Sequence, residues 1–125
     1  MKKILAAFLC MGMLASCGGG DSKDSGSTEM SDGTADNPVY QKGLSLVAKS
    51  DCLTCHKVEE KLTGPAYRDV ANKYASMPDT IITHLAGKIR SGGNGVWGEA
   101  LMTPHPAITQ EDAEAMVKYI MLLKK

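Results

Sequence analysis

Aromatic residues are scarce: the 125-residue chain has one Phe, one Trp and four Tyr. The Phe is Phe8, inside the first ten residues, so a core built further along must rely on aliphatics, Met, Tyr and Trp97. No charge of one sign predominates, with 14 Lys and Arg against 14 Asp and Glu. That balance argues against a nucleic-acid binder with a strongly basic face. No apolar run is long enough to span a bilayer, which takes roughly 20 residues; Ile4 to Leu14 is far shorter. Cysteine is limited to Cys10, Cys17, Cys52 and Cys55. A single CxxC gives neither a disulfide framework nor a four-cysteine zinc site. No internal repeat is present.

What is present begins with a leader. Met1-Lys2-Lys3 precedes the apolar run, and Ala15-Ser16-Cys17 follows it. A positive start, a short apolar stretch and a small-residue cleavage site form a secretory signal peptide, assigned to residues 1–16. Leu14-Ala15-Ser16-Cys17 resembles the bacterial lipobox, which implies cleavage before Cys17 and lipidation of its thiol. Two or three acyl chains would anchor the chain stably, at about 0.8 kcal/mol for each buried CH₂. Residues 17–36 then read as a tether. From Gly18 to Asp36 the only apolar side chains are Met30 and Ala35. Such a segment cannot bury enough surface to offset its ordering entropy, and its flexible-chain reach is about 24 Å. Its charge is mostly acidic, which promotes solubility.

Residues 37–125 form one small domain with eleven Lys and Arg against nine Asp and Glu. A domain this small often needs a staple such as a cofactor. Its two remaining cysteines lie in Cys52-Leu53-Thr54-Cys55-His56, the CxxCH pattern of covalent haem attachment. Two thiols one helical turn apart can each add to a porphyrin vinyl group, and the following histidine then lies under the iron. Such attachment occurs outside the cytoplasm, as the leader independently implies. A thioredoxin-like CxxC would need a βαβ setting that the sequence does not show. A zinc site would need two more ligands from a chain offering only His56, His84 and His105. A plain CxxC disulfide is the remaining alternative.

A six-coordinate haem needs a second axial ligand. Met30 lies in the tether, Met77 precedes Pro78, and Met116 and Met121 fall in a helical pattern. Methionine on an apolar helix face usually packs a core. Met102 differs, because it follows the glycine-rich stretch from Ser91 to Leu101 and precedes Thr103-Pro104-His105-Pro106. A loop stiffened by proline can wrap a porphyrin edge and present a thioether sulfur. Met102 is therefore the expected ligand, with His105 next and His84 as a further nitrogen donor.

The periodicity predicts an all-α fold. Asn37-Pro38 caps and opens a helix toward Lys49, with Leu44, Val47 and Ala48 inward. A short helix spans Tyr67 to Ala75. Asp79 caps a third, with Ile81, Ile82, Leu85 and Ile89 on one side and Gly92 past its end. Thr109 caps a fourth, which carries Ala113, Met116, Val117, Ile120 and Leu123 at helical spacing.

With these motifs in place, residues 37–125 resemble the small bacterial class I monohaem cytochromes c, close to the type serving periplasmic nitrite reductases and terminal oxidases. The resembling segments are Cys52 to His56, Gly64 to Ala71 and Ile89 to Gly98, followed by Met102. The resemblance implies about four helices around one covalent haem c, held through Cys52 and Cys55. It implies His56 as proximal iron ligand, its Nδ1–H held by the Pro65 carbonyl, and Met102 as the sixth ligand. It places Trp97 and Arg90 near a haem propionate and gives Tyr119 a structural role against the first helix near Gly43. Glu99-Ala100-Leu101 and the longer segment containing His105 depart from the family pattern.

The function so implied is single-electron transfer, without catalysis, in a respiratory chain. The chain would be an exported bacterial lipoprotein on the periplasmic side of a membrane or at the cell surface. Its partners would be redox proteins: a donor such as a quinol-oxidising complex, and an acceptor such as a terminal oxidase or reductase. No nucleic-acid partner is expected. The alternative is a haem enzyme or gas sensor, which would need an open or labile sixth site.

Overall fold

The first helix begins where the sequence places it. Asn37 adopts extended backbone geometry and its side chain accepts the Val39 N–H at 2.9 Å, with Pro38 at the first helical position. Proline there has no N–H to leave unsatisfied, and its φ already suits the helix. Helix α1 runs Pro38–Lys49, α2 Tyr67–Tyr74, α3 Thr80–Ser91 and α4 Gln110–Met121. Thr109 caps α4 by accepting the Asp112 N–H at 3.1 Å. This computed structural model describes residues 34–125. The expected leader, Cys17, Met30 and most of the expected tether lie outside those residues. Of the tether, Thr34–Asp36 is described and forms a short 3-10 turn bonded to the start of α1. No described helix is long and apolar enough to cross a membrane.

Helix α4 is the central element and packs on the other three helices. One core cluster joins Val47 of α1 with Tyr67 and Ala71 of α2 and with Met116, Tyr119, Ile120 and Leu123. A second joins Ala86 of α3 with Ala113 and Val117 of α4. Met116 is thus a core residue, and Met77 is exposed. The inner face of α1 differs from expectation. Ala48 is exposed, while Gly43 is buried and Leu46 half-buried. The reason is steric: a Cβ on Gly43 would lie 2.3 Å from Tyr119 Cβ, so α1 meets α4 backbone-first at the smallest residue. Tyr119 also sets its ring edge-on against Tyr40, centroids 5.0 Å apart. Burial, then neighbouring Tyr40, push its phenol up to about 12, so it stays neutral.

Two further details depart from the periodicity. Asp79 precedes α3, but its side chain makes no capping bond; the Pro78 and Asp79 carbonyls take the first N–H groups instead. The glycine-rich stretch after α3 is a small antiparallel hairpin, β1 Gly93–Gly95 with β2 Gly98–Met102. This hairpin is a minor addition to a mostly helical fold.

Arg68 is the one buried charged residue among those described. Its Nε donates to Glu59 at 2.7 Å, its Nη2 to the other carboxylate oxygen, and its Nη1 to the Leu123 carbonyl. The guanidinium thereby ties the loop before α2 to the end of the chain. Hydrogen bonding from Arg68 holds the Glu59 carboxyl below its ordinary value. Stability from this pair is therefore full above the ordinary carboxylate pKa and is lost as pH falls through the depressed one. Arg68→Met is expected to lower unfolding free energy by about 2–3 kcal/mol, since it strands a carbonyl and half of a charge pair. Denaturant titration at neutral and acidic pH checks this, and the loss must shrink toward low pH.

Candidate functional site

The CxxCH segment folds as one tight turn. Asp51–Thr54 is a 3-10 helix, and the Cys55 and His56 N–H groups both donate to the Cys52 carbonyl, at 3.2 and 3.0 Å. The two cysteines therefore share one turn. Both are free thiols, Cys52 half-buried and Cys55 exposed. Burial, then the Asp51 charge, push the Cys52 thiol up, which keeps it protonated. Tyr67 packs in the same cluster, and burial likewise pushes its phenol up.

The chain after His56 folds back over the turn. Gly64 N–H donates to the Cys55 carbonyl at 2.9 Å, Tyr67 N–H to Lys57 at 2.9 Å and Arg68 N–H to Val58 at 3.0 Å. This return places the Pro65 carbonyl 2.8 Å from His56 Nδ1. A carbonyl only accepts, so Nδ1 carries a proton, and in the neutral ring the lone pair is on Nε2. Nε2 bonds to no group among the described residues, which suits a nitrogen meant for a metal. The ring stacks on Tyr67, centroids 5.2 Å apart and 17° from parallel. Beside the ring Gly64 leaves the needed room: a Cβ there would sit 2.4 Å from His56 Cε1.

Met102 ends β2, half-buried and paired in register with Gly93. Gly92 has φ +66°, and a Cβ on it would stand 2.3 Å from the Met102 carbonyl oxygen. Glycine is needed here for both the backbone angle and the close crossing. Beyond Met102, His105 reaches back to Asp51, its Nε2 2.9 Å from Oδ1. That contact brings the Met102 loop to the turn that carries Cys52, Cys55 and His56. His84 is exposed on α3.

Trp97 is half-buried at the hairpin turn, and the cation over its ring is Lys73, with Nζ 5.5 Å from the centroid. Arg90 is engaged elsewhere. Its Nε donates to the Ile108 carbonyl at 3.0 Å and its Nη1 to Gln110 at 3.4 Å, at the start of α4. Trp97 and Arg90 thus make separate contacts with the chain. Sequence reasoning gave no role to Lys73, Tyr67 or Asp51. Asp51, directly before the first cysteine, was the one with a positional signal.

The residues fit a covalent c-type haem on three counts. Two free thiols share one turn, an imidazole presents an unprotonated nitrogen beside them, and a thioether loop is docked to the same turn. No three His, Cys, Asp or Glu side chains among the described residues group as a metal site, so a zinc reading finds no ligand set.

Comparison with known proteins agrees. The family model described as Cytochrome c matches residues 40–124. The chain is similar to cytochrome c-552 of Nitrosomonas europaea, 44% identical over 67% of this chain and 81% of that protein. It is also similar to cytochrome c-551 of Ectopseudomonas mendocina, 42% identical over 66% of this chain and 98% of that protein. The crystal structure of the Nitrosomonas europaea protein superposes with a TM-score of 0.61, covering 65% of this chain and 99% of that one.

Proposed function

The chain belongs to the cytochrome c family, and from that premise we propose that it is a lipid-tethered electron carrier of a bacterial respiratory chain. As a family member it is an electron carrier rather than an enzyme, with one haem c attached covalently through Cys52 and Cys55. The bound haem supplies one-electron ferric/ferrous chemistry. Within this reading His56 is the proximal ligand through Nε2, and Met102 is the sixth ligand through its sulfur. The hydrogen bond from His56 Nδ1 to Pro65 fixes the ring and raises its basicity. A thioether and an imidazole together would favour the ferrous state over two nitrogen donors and raise the potential. With His56 and Met102 both holding the iron, the chain would leave no open site for substrate. Trp97 is the expected contact for a haem propionate, with Arg90 near the same carboxylate; Lys73 stands over the Trp97 ring. The leader and Cys17 give the route out of the cytoplasm and the lipid anchor, and electrons pass to redox proteins on the periplasmic side or at the surface.

The observation that carries this reading is the His56 ring, whose proton is committed to Pro65 beside two free thiols. The test is an optical spectrum of the full chain, oxidised and reduced, with and without carbon monoxide. A haem-stained denaturing gel of membrane and soluble fractions accompanies it. The expected result is haem retained on the membrane-associated polypeptide and a reduced spectrum indifferent to carbon monoxide. Met102→Ala should keep the covalent haem and bind carbon monoxide readily. Carbon monoxide binding to the unaltered protein would overturn Met102 ligation, and loss of haem on the gel would overturn the attachment.

A further inference from the structure

The loop that follows β2 meets the attachment turn through one side-chain pair. His105 Nε2 lies 2.9 Å from Asp51 Oδ1, across 54 residues of sequence. Asp51 opens the 3-10 turn and directly precedes Cys52. His105 stands three residues after Met102, between Pro104 and Pro106.

The backbone of His105 is fixed separately from its side chain. Its N–H donates to the Ile89 carbonyl at 3.1 Å, and its carbonyl accepts the Ile108 N–H at 3.1 Å. Proline on both sides restricts the local dihedrals, so this stretch moves as a unit. Among the hydrogen bonds of the described residues, the imidazole is what carries that fixed position across to the turn. The side chain is 20% exposed, and its other nitrogen, Nδ1, is buried with no partner among the described residues. Asp51 is therefore the one polar anchor of the ring. The bond is made to an ionised carboxylate, since hydrogen bonding from His105, then its charge, hold the Asp51 carboxyl below its ordinary value.

We propose that His105 and Asp51 form a latch docking the Met102 loop onto the haem-attachment turn, which makes His105 a positioning residue for the sixth ligand. The inference rests on the reading that Met102 fills that position. At its start, the loop is held by the β-ladder and the close crossing over Gly92. Past Met102, the latch is what joins it to the segment bearing the proximal ligand. Asp51 is 74% exposed, so the latch is a reversible bond whose loss changes how often the loop opens. The closed loop keeps the thioether in place. An opened one yields the site to an external ligand.

The test follows imidazole binding to the ferric full-chain holoprotein, in the unaltered protein and in Asp51→Ala, His105→Ala, the double variant and His105→Gln. Each alanine variant should bind imidazole about threefold to tenfold faster, the span of charged hydrogen bonds between exposed and half-buried groups. The double variant should match the singles, which marks the pair as one coupled unit. His105→Gln keeps an amide donor toward Asp51 and should return toward the original rate. Unchanged rates, or a double variant faster by the product of the two singles, would overturn the latch. So would a shifted denaturation midpoint with an unchanged rate, since the pair would then be merely structural. The sulfur-to-iron charge-transfer band of the unaltered ferric protein separates the two readings. Its presence, with unchanged rates in the variants, sinks the latch alone; its absence sinks Met102 ligation and the latch with it.

Discussion

Gly64→Ala is expected to dislodge His56, the proposed proximal ligand, while leaving the haem covalently attached. The added methyl would meet the ring of His56 itself, at 2.4 Å from Cε1 and 2.8 Å from both nitrogens. The ring cannot simply swing aside, because Tyr67 stacks on it and the Pro65 carbonyl holds Nδ1. Any shift lengthens that bond and releases the tautomer that leaves Nε2 unprotonated. Overpacking of this kind costs about 1–3 kcal/mol, and disturbing an outer partner of a ligating histidine lowers metal affinity about 10- to 100-fold. The cysteines are untouched, so a haem-stained gel should look unaltered. The reduced spectrum should change, and carbon monoxide should bind. An unaltered spectrum would mean that the loop yields in place of the ring.

Gly43→Ala is expected to be the most destabilising single methyl in the helices. Its Cβ would lie 2.3 Å from Tyr119 Cβ, 2.5 Å from the Ala115 carbonyl oxygen and 3.3 Å from the Ala115 carbonyl carbon. None of these is the end of a flexible side chain, so α1 and α4 must separate. A loss of about 3 kcal/mol or more follows, a large share of the roughly 5–10 kcal/mol that a domain of this size holds. Gly87 in α3 is the matched control, because a Cβ there meets nothing within 4 Å. Gly87→Ala should stabilise by about 0.5–1 kcal/mol through helix propensity alone. Denaturant midpoints of the two variants should move in opposite directions. If Gly43→Ala matched Gly87→Ala, the close approach of the two helices would be wrong.

The contrast between these glycines shows where the sequence stops being legible. Both sit in helical patterns, and nothing local separates a glycine that a neighbour requires from one facing solvent. The same limit explains Ala48: on α1 the periodicity favoured it, but the inner face is set by where α4 comes closest, at Gly43. Signals that are local in their physics read well. Asn37-Pro38, Thr109 and Gly92 mark helix ends because caps act within a turn. CxxCH is legible because both thiols and the histidine must share one turn. The hairpin was hidden because Gly93 to Gly98 has no alternation of apolar and polar residues to mark a strand. Arg68 and Arg90 were illegible for another reason. An arginine's partner is a tertiary fact, and here the acceptors are Glu59 and Leu123 in one case, Ile108 and Gln110 in the other. Asp51 and His105, 54 residues apart, belong with them.

The seam between α1 and α4 also bears on the order of assembly. The helices nearest the two ends of the domain close on each other, so Cys52, Cys55 and the proposed ligands His56 and Met102 lie within the loop of chain they complete. Closing so long a loop is entropically costly, and it is offset only when the last helix is available. Until α4 docks on α1, that loop of chain stays open. The close approach at Gly43 thus closes a longer loop than any other helix pair among the described residues, and it joins the two ends of the domain in one step.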